Sequence, residues 1–201
     1  MSTTYAEREL QITAPEARTN GQVTREPERV RGGNVFGVLR ITLGSVFLWA
    51  FFDKLLSLGF STGRNADTGA IAFFGPDAWI HGGSPTTGFL KFGTKGPFAD
   101  FFAGLAGNAF MDWAFMGALL LIGTALILGI GMRLATIGGV GLLGLMYAAS
   151  AIWPDHHPLI DEHVVNSIAL VALAYVGAGR YLGFGRRWET TSLVKRYPIL
   201  K

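Results

Sequence analysis

The chain has no cysteine. That excludes a thiolate nucleophile, a persulfide carrier, a disulfide relay and an iron–sulfur cluster held by this chain. Charge is scarce as well. Asp, Glu, Lys and Arg make up 15% of the 201 residues, against about 25% in a typical soluble domain. The four histidines are His81, His156, His157 and His163, and none lies in the interior of a long apolar run. A b-type haem held by paired histidines on facing membrane helices is therefore not expected. Residues 154–163 contain no Lys or Arg. The first 32 residues contain no apolar core of the kind a signal peptide needs, so none is expected before the first apolar run.

Hydrophobic length stands where charge is missing. Half of the residues are hydrophobic, with a mean hydropathy of +0.36. Four apolar runs cover about 35–52, 113–130, 134–153 and 164–184. Each is roughly 17–21 residues long, the length a helix needs to cross a ~30 Å hydrocarbon core. The expected fold is an all-α membrane protein, a four-transmembrane-helix bundle with a long extracytoplasmic loop between helices 1 and 2. The 28 glycines suit helices that pack closely in lipid.

Three regions follow. Residues 1–33 read as a flexible cytoplasmic tail, with Pro15, Gly21 and Pro27 interrupting any helix. Residues 34–184 form the membrane domain, and 185–201 a basic cytoplasmic tail. The connection from 61 to 112 is rich in turn residues (Gly75-Pro76, Gly82-Gly83-Ser84-Pro85, Gly96-Pro97) and in phenylalanine. Within it, Phe98, Phe101, Phe102, Leu105 and Ala109 share a helical face behind Pro97, which predicts a short helix lying in the membrane interface. Only Gly131, Met132 and Arg133 separate the second and third runs, which forces an antiparallel hairpin. Basic residues gather in both tails and at Arg133. The positive-inside rule then puts both termini in the cytoplasm, the expected location being a bacterial inner membrane. The net charge of +3 is distributed for lipid headgroups and not for nucleic acid.

Some motifs dissolve on context. Gly139-x-Gly141-x-x-Gly144 spells a dinucleotide fingerprint, but it lies inside an apolar run and not between a strand and a helix. Ala135/Gly139 and Gly144/Ala148 read better as small-residue pairs for helix packing. His156, His157 and His163, with Asp161 and Glu162, are candidate zinc or copper ligands. The favoured reading is that Asp161 and Glu162 begin the fourth helix and stabilise its exposed amides.

Ionisable groups at the runs say more. Arg40 lies more than a turn inside the first run, where a charge needs a partner. Lys54 is 14 residues further on, on the same helical face. Asp161, Glu162 and His163 open the fourth run, with Asn166 one turn deeper. If the first and fourth helices are neighbours, Asp53 and Lys54 meet this cluster. It would then be a structural ion pair, or a polar pocket for a quinone headgroup or a small anion.

These features resemble the DoxX family of bacterial membrane proteins. The first run carries Arg40, Gly44 and Phe47 and closes on Asp53-Lys54-Leu55, similar to the family's opening pattern, with Phe51-Phe52 where a glycine usually precedes the lysine. Gly129-x-Gly131-x-Arg133-x-Ala135 is similar to the family's turn between helices 2 and 3. The resemblance covers about 34–184. It implies a four-helix membrane bundle, and it links the chain to the subunit of a thiosulfate:quinone oxidoreductase. No established catalytic residue of the family maps onto this chain. The function expected is an accessory subunit of a membrane redox or respiratory complex. Such a subunit would have protein partners and a contact with quinone, and would have no metal or thiol redox centre of its own. The alternatives are a subunit that takes part in sulfur-compound oxidation, or a small-solute carrier.

Overall fold

The computed structural model describes residues 32–65, 67–150, 152–154 and 157–201. The polar N-terminal segment up to Arg31 and the metal candidate His156 lie outside the described residues. Among the described residues there is no strand, and one isolated bridge joins Arg64 to Ile71.

Three helices are long and apolar enough to cross a membrane: α1 (Gly33–Leu56), α3 (Ala109–Leu128) and α4 (Met132–Ser150). At 1.5 Å per residue they reach about 36, 30 and 28 Å, which matches a ~30 Å core. Between α1 and α3 lies α2 (Ala99–Ala103), a single turn. After α4 come α5 (Glu162–Tyr175) and two short helices, α6 (Gly185–Glu189) and α7 (Ser192–Arg196).

Local chemistry sets these boundaries. Helix α1 stops at Ser57, which takes a left-handed conformation with φ 56° and donates its amide to Asp53 O. Asn108 caps α3 by accepting from the Phe110 amide at 2.9 Å. Helix α3 ends on Gly129 and α4 follows Gly131, both at positive φ (72° and 60°). Two left-handed residues in a three-residue connection reverse the chain, so α3 and α4 form the expected hairpin. Asp161 caps α5 through the amides of His163 and Val164, at 3.0 and 3.2 Å.

Two elements depart from expectation. The apolar run at 164–184 yields a helix of only 14 residues, about 21 Å long and too short to cross a bilayer alone. Gly177 at φ 66° ends it, and a 3-10 turn, Ala178–Arg180, follows. The interface helix is also shorter than the pattern at 98–109 suggests. Pro97 stays outside it, and Gly104 and Gly107 (φ 81°) separate Leu105 and Ala109 from α2.

Helix α1 packs on α3, α3 on α4, and α4 on α5, while α1 touches α5 only lightly. The core is built from Leu43, Phe47 and Phe51 of α1, Met116, Leu119, Ile122 and Leu126 of α3, Leu143 of α4, and Leu170 and Leu173 of α5. Glycine sets the close approaches. A Cβ on Gly123 of α3 would stand 2.9 Å from Leu48 N of α1, and one on Gly139 of α4 would stand 2.7 Å from a Leu170 methyl of α5. The Ala135/Gly139 pair therefore packs as expected. Gly144 meets nothing within 4 Å and is not part of a helix contact. The outward faces of the helices stay greasy, with Val46, Leu121, Ile137 and Ile168 all more than half exposed. A soluble monomer rarely exposes apolar surface on this scale, and lipid is its natural cover.

Candidate functional site: an arginine clasp and a basic cleft

The bundle has two polar ends. One brings together the start of α1, the α3–α4 turn, the end of α5 and the C-terminal segment. Arg40 is at its centre, with no exposed surface. Its Nη1 donates to Leu126 O and, at 3.0 Å, to Ile127 O. Its Nη2 donates to Tyr181 O and Leu182 O, both at 3.0 Å. Only Nε has no partner among the described residues.

This arrangement solves a specific problem. The last four carbonyls of a helix have no partner within it. In α3, Ala125 O accepts from the Gly129 amide at 2.8 Å and Leu128 O from the Phe184 amide at 2.8 Å. Arg40 takes the two between. The last turn of α3 is thus fully paired by the chain itself, without calling on water. The positive guanidinium also lies against the negative end of the α3 dipole. Bare backbone surrounds it. A Cβ on Gly129 would stand 3.0 Å from Arg40 Nη1 and 2.7 Å from Gly179 O, and one on Gly183 would stand 2.8 Å from Arg40 Nη2. Fully buried and committed to carbonyls, Arg40 is out of reach of any substrate.

Arg133 stands in the first turn of α4 and is exposed. Its amide donates to Lys201 O at 2.9 Å, and its Nη1 to Pro198 O at 3.1 Å. Trp188 Nε1 donates to Leu200 O at 2.5 Å. The basic segment 185–201 is therefore folded back against the bundle. Between it and the helix ends is a cleft of about 220 Å³, lined by Arg133, Tyr175, Arg180, Trp188, Glu189 and Lys201 among others. Arg180 donates through Nε to both Glu189 oxygens, at 2.9 and 3.0 Å.

The opposite end holds the other predicted residues, but in separate groups. Asp53 is buried and accepts from the Phe60 amide (3.0 Å), the Ser61 amide (2.9 Å) and the Ser61 hydroxyl (2.6 Å). Lys54 donates to Ser61 Oγ at 2.9 Å and lies over the Phe115 ring. Among the described residues, neither makes an ion pair with Asp161, Glu162 or His163. Asp161 is occupied by its capping bonds and by His163, whose ring Nδ1 donates to Oδ2 at 2.5 Å. Burial acts to raise the Asp161 carboxyl. The bonds from the His163 ring and from the Val164 and His163 amides outweigh it and hold the carboxyl below its ordinary range. Asn166 is half-buried one turn further along α5.

Asp161, Glu162 and His163 do place one ligand atom each within 4.8 Å of one another. The donor set fits a metal poorly. The Asp161 oxygens already accept three hydrogen bonds, and ligation through Oδ2 would displace the one from the His163 ring. His157 is engaged too, its Nδ1 accepting from the Leu159 and Ile160 amides at 3.1 and 2.9 Å.

Asp112, in the first turn of α3, went unread in the sequence. It is buried and accepts from Ser84 Oγ (2.9 Å), Thr86 N (3.1 Å) and Thr86 Oγ1 (2.6 Å), so it anchors the long loop to the bundle. The signal was Ser84-Pro85-Thr86-Thr87, a hydroxyl-rich turn close in sequence to a carboxylate at the start of an apolar run. No family model, curated protein or solved structure matches the chain significantly.

Proposed function

We propose that the chain is a DoxX-like accessory subunit of a membrane redox complex, embedded in a bacterial inner membrane with both termini cytoplasmic. In this reading α5 and the segment after it complete a fourth crossing beside α1, α3 and α4. One observation carries the reading. The buried charged side chains Arg40, Asp53 and Asp112 are each occupied by the chain's own backbone and hydroxyls, so they hold the fold together and are not free for chemistry. Without cysteine, primary redox chemistry through thiols falls to a partner. Packing is in keeping with the resemblance, since Arg40 of the first motif lies against Gly129 of the second, and Gly44 against the end of α3 just before it. A quinone contact, if the complex uses one, belongs at the open apolar hollow of about 350 Å³ lined by Leu128, Ile130, Phe184, Arg187, Trp188 and Thr191. That volume lies within the ~300–1,000 Å³ of small-molecule sites.

The test is native mass spectrometry of gently solubilised membranes. A redox enzyme co-purifying in stoichiometric amount is the expected result. Recovery of the isolated chain alone under several mild detergents would remove the proposal. Orientation is checked separately by cysteine labelling, with Lys91→Cys reacting from outside and Ser192→Cys only after permeabilisation.

A further inference from the structure

We infer that the cleft at the basic end binds the phosphate of an anionic phospholipid, with the acyl chains lying along α5. This inference is independent of which protein partner the subunit has. The cleft walls bring together the side chains of Arg133, Arg180 and Lys201 against one acidic side chain, Glu189. That carboxylate is matched one to one, because Arg180 Nε and Nη2 both face it. Of the Arg133 guanidinium, only Nη1 bonds an acceptor among the described residues, and both Arg133 and Lys201 are exposed. The cleft is therefore left with a net positive charge and with donors to spare. At about 220 Å³ it is below the ~300 Å³ at which drug-sized ligands begin, and suits a headgroup phosphate better than a whole cofactor.

Position argues for a lipid as the source. Helix α3 is about as long as the hydrocarbon core is thick, so the cleft, lined by Gly129 just past its end, falls at headgroup level. Helix α5 ends early, and Tyr175, which lines the cleft, is 92% exposed. Below it Val171 and Ile168 continue the exposed stripe down the same helix. A phosphate in the cleft would have its chains on that stripe. Trp188, on the wall, is an amphipathic ring suited to this boundary.

The test uses the full-length protein in detergent, with lipid retention read by native mass spectrometry. Phosphatidylglycerol is expected to be retained about tenfold better than phosphatidylcholine, whose choline cancels the charge. An Arg133→Gln/Lys201→Gln double variant should lose that preference, and Arg133→Lys should keep most of it. Lys91→Gln, at the opposite end, should change nothing. Lys201→Gln alone, at an exposed position, covers the case where the double variant misfolds, and should weaken retention severalfold. Inorganic phosphate at millimolar concentration separates the sources. Phosphatidylglycerol retained in its presence confirms a lipid, whereas displacement with the same Arg133 dependence assigns the site to soluble phosphate esters. Equal retention of the two lipids, or undiminished preference in a folded double variant, would overturn the inference.

Discussion

Replacing Arg40 by methionine keeps the side chain's reach and removes its donors. Four carbonyls then lose a partner: Leu126 and Ile127 on α3, Tyr181 and Leu182 on the segment after α5. A buried acceptor left unpaired costs about 1–3 kcal/mol. Two effects reduce the total. The loop carbonyls are near the bundle end, where water can reach them, and the variant no longer buries a charge, a cost of several kcal/mol in its own right. A net loss of about 3 kcal/mol is expected, dominated by the two helix carbonyls. For a chain of this size that corresponds to a fall of roughly 6–12 °C in melting temperature. Arg40→Lys retains the charge on one compact centre and cannot span all four oxygens, so about half the loss is expected. Circular dichroism melts in detergent measure both. Limited trypsin digestion gives a second readout, because freeing Tyr181 and Leu182 exposes the bonds after Arg180 and Arg186. If Arg40→Met melted within about 2 °C of the wild type, with unchanged trypsin resistance, the clasp would not be what secures this end.

Other positions make further tests. Asp112→Ala removes the acceptor of three bonds from Ser84 and Thr86 and should cost about 2 kcal/mol, with faster proteolysis between 84 and 107 in proteoliposomes. Gly139→Leu forces a side chain where a Cβ alone would stand 2.7 Å from Leu170, so α4 and α5 must separate, and detergent-solubilised yield should fall sharply. The Asp161 carboxyl is held below its ordinary value, so its stabilising effect is complete above the unfolded pKa of about 3.9 and is lost as pH falls through the lower folded value. Melts of wild type and Asp161→Asn should therefore differ at neutral pH and converge in acid, and a constant difference across the range would contradict the assignment.

Much of the frame was legible because its signal is local. The three long helices lie within a few residues of the apolar runs, since hydrophobic length and terminal Gly or Asn act on neighbouring residues. Arg40's need for a partner was equally plain. The partners were not, because a carbonyl oxygen is present at every residue and leaves no mark in sequence. Asp53 and Lys54 show the same limit from the other side. Their charges invited a match with Asp161 and Glu162 across the bundle, yet Phe60 and Ser61, a turn away along the chain, satisfy Asp53 first. Lys54 follows to Ser61 and to Phe115 of α3, the helix α1 packs on. The fourth helix is shorter than its apolar run, and composition hides this because Gly177 sits within residues as apolar as those before it. Only its backbone conformation shows that it ends the helix.

The clasp has an asymmetric evolutionary consequence. Its acceptors belong to the main chain, so the clasp itself reads no side chain at residues 126, 127, 181 and 182, and what limits those positions is packing, as at the core residue Leu126. The clasp's own constraint falls instead on the arginine and on the glycines that leave room for it. Homologous chains would then keep a few small, scattered positions in common while their remaining sequence diverged.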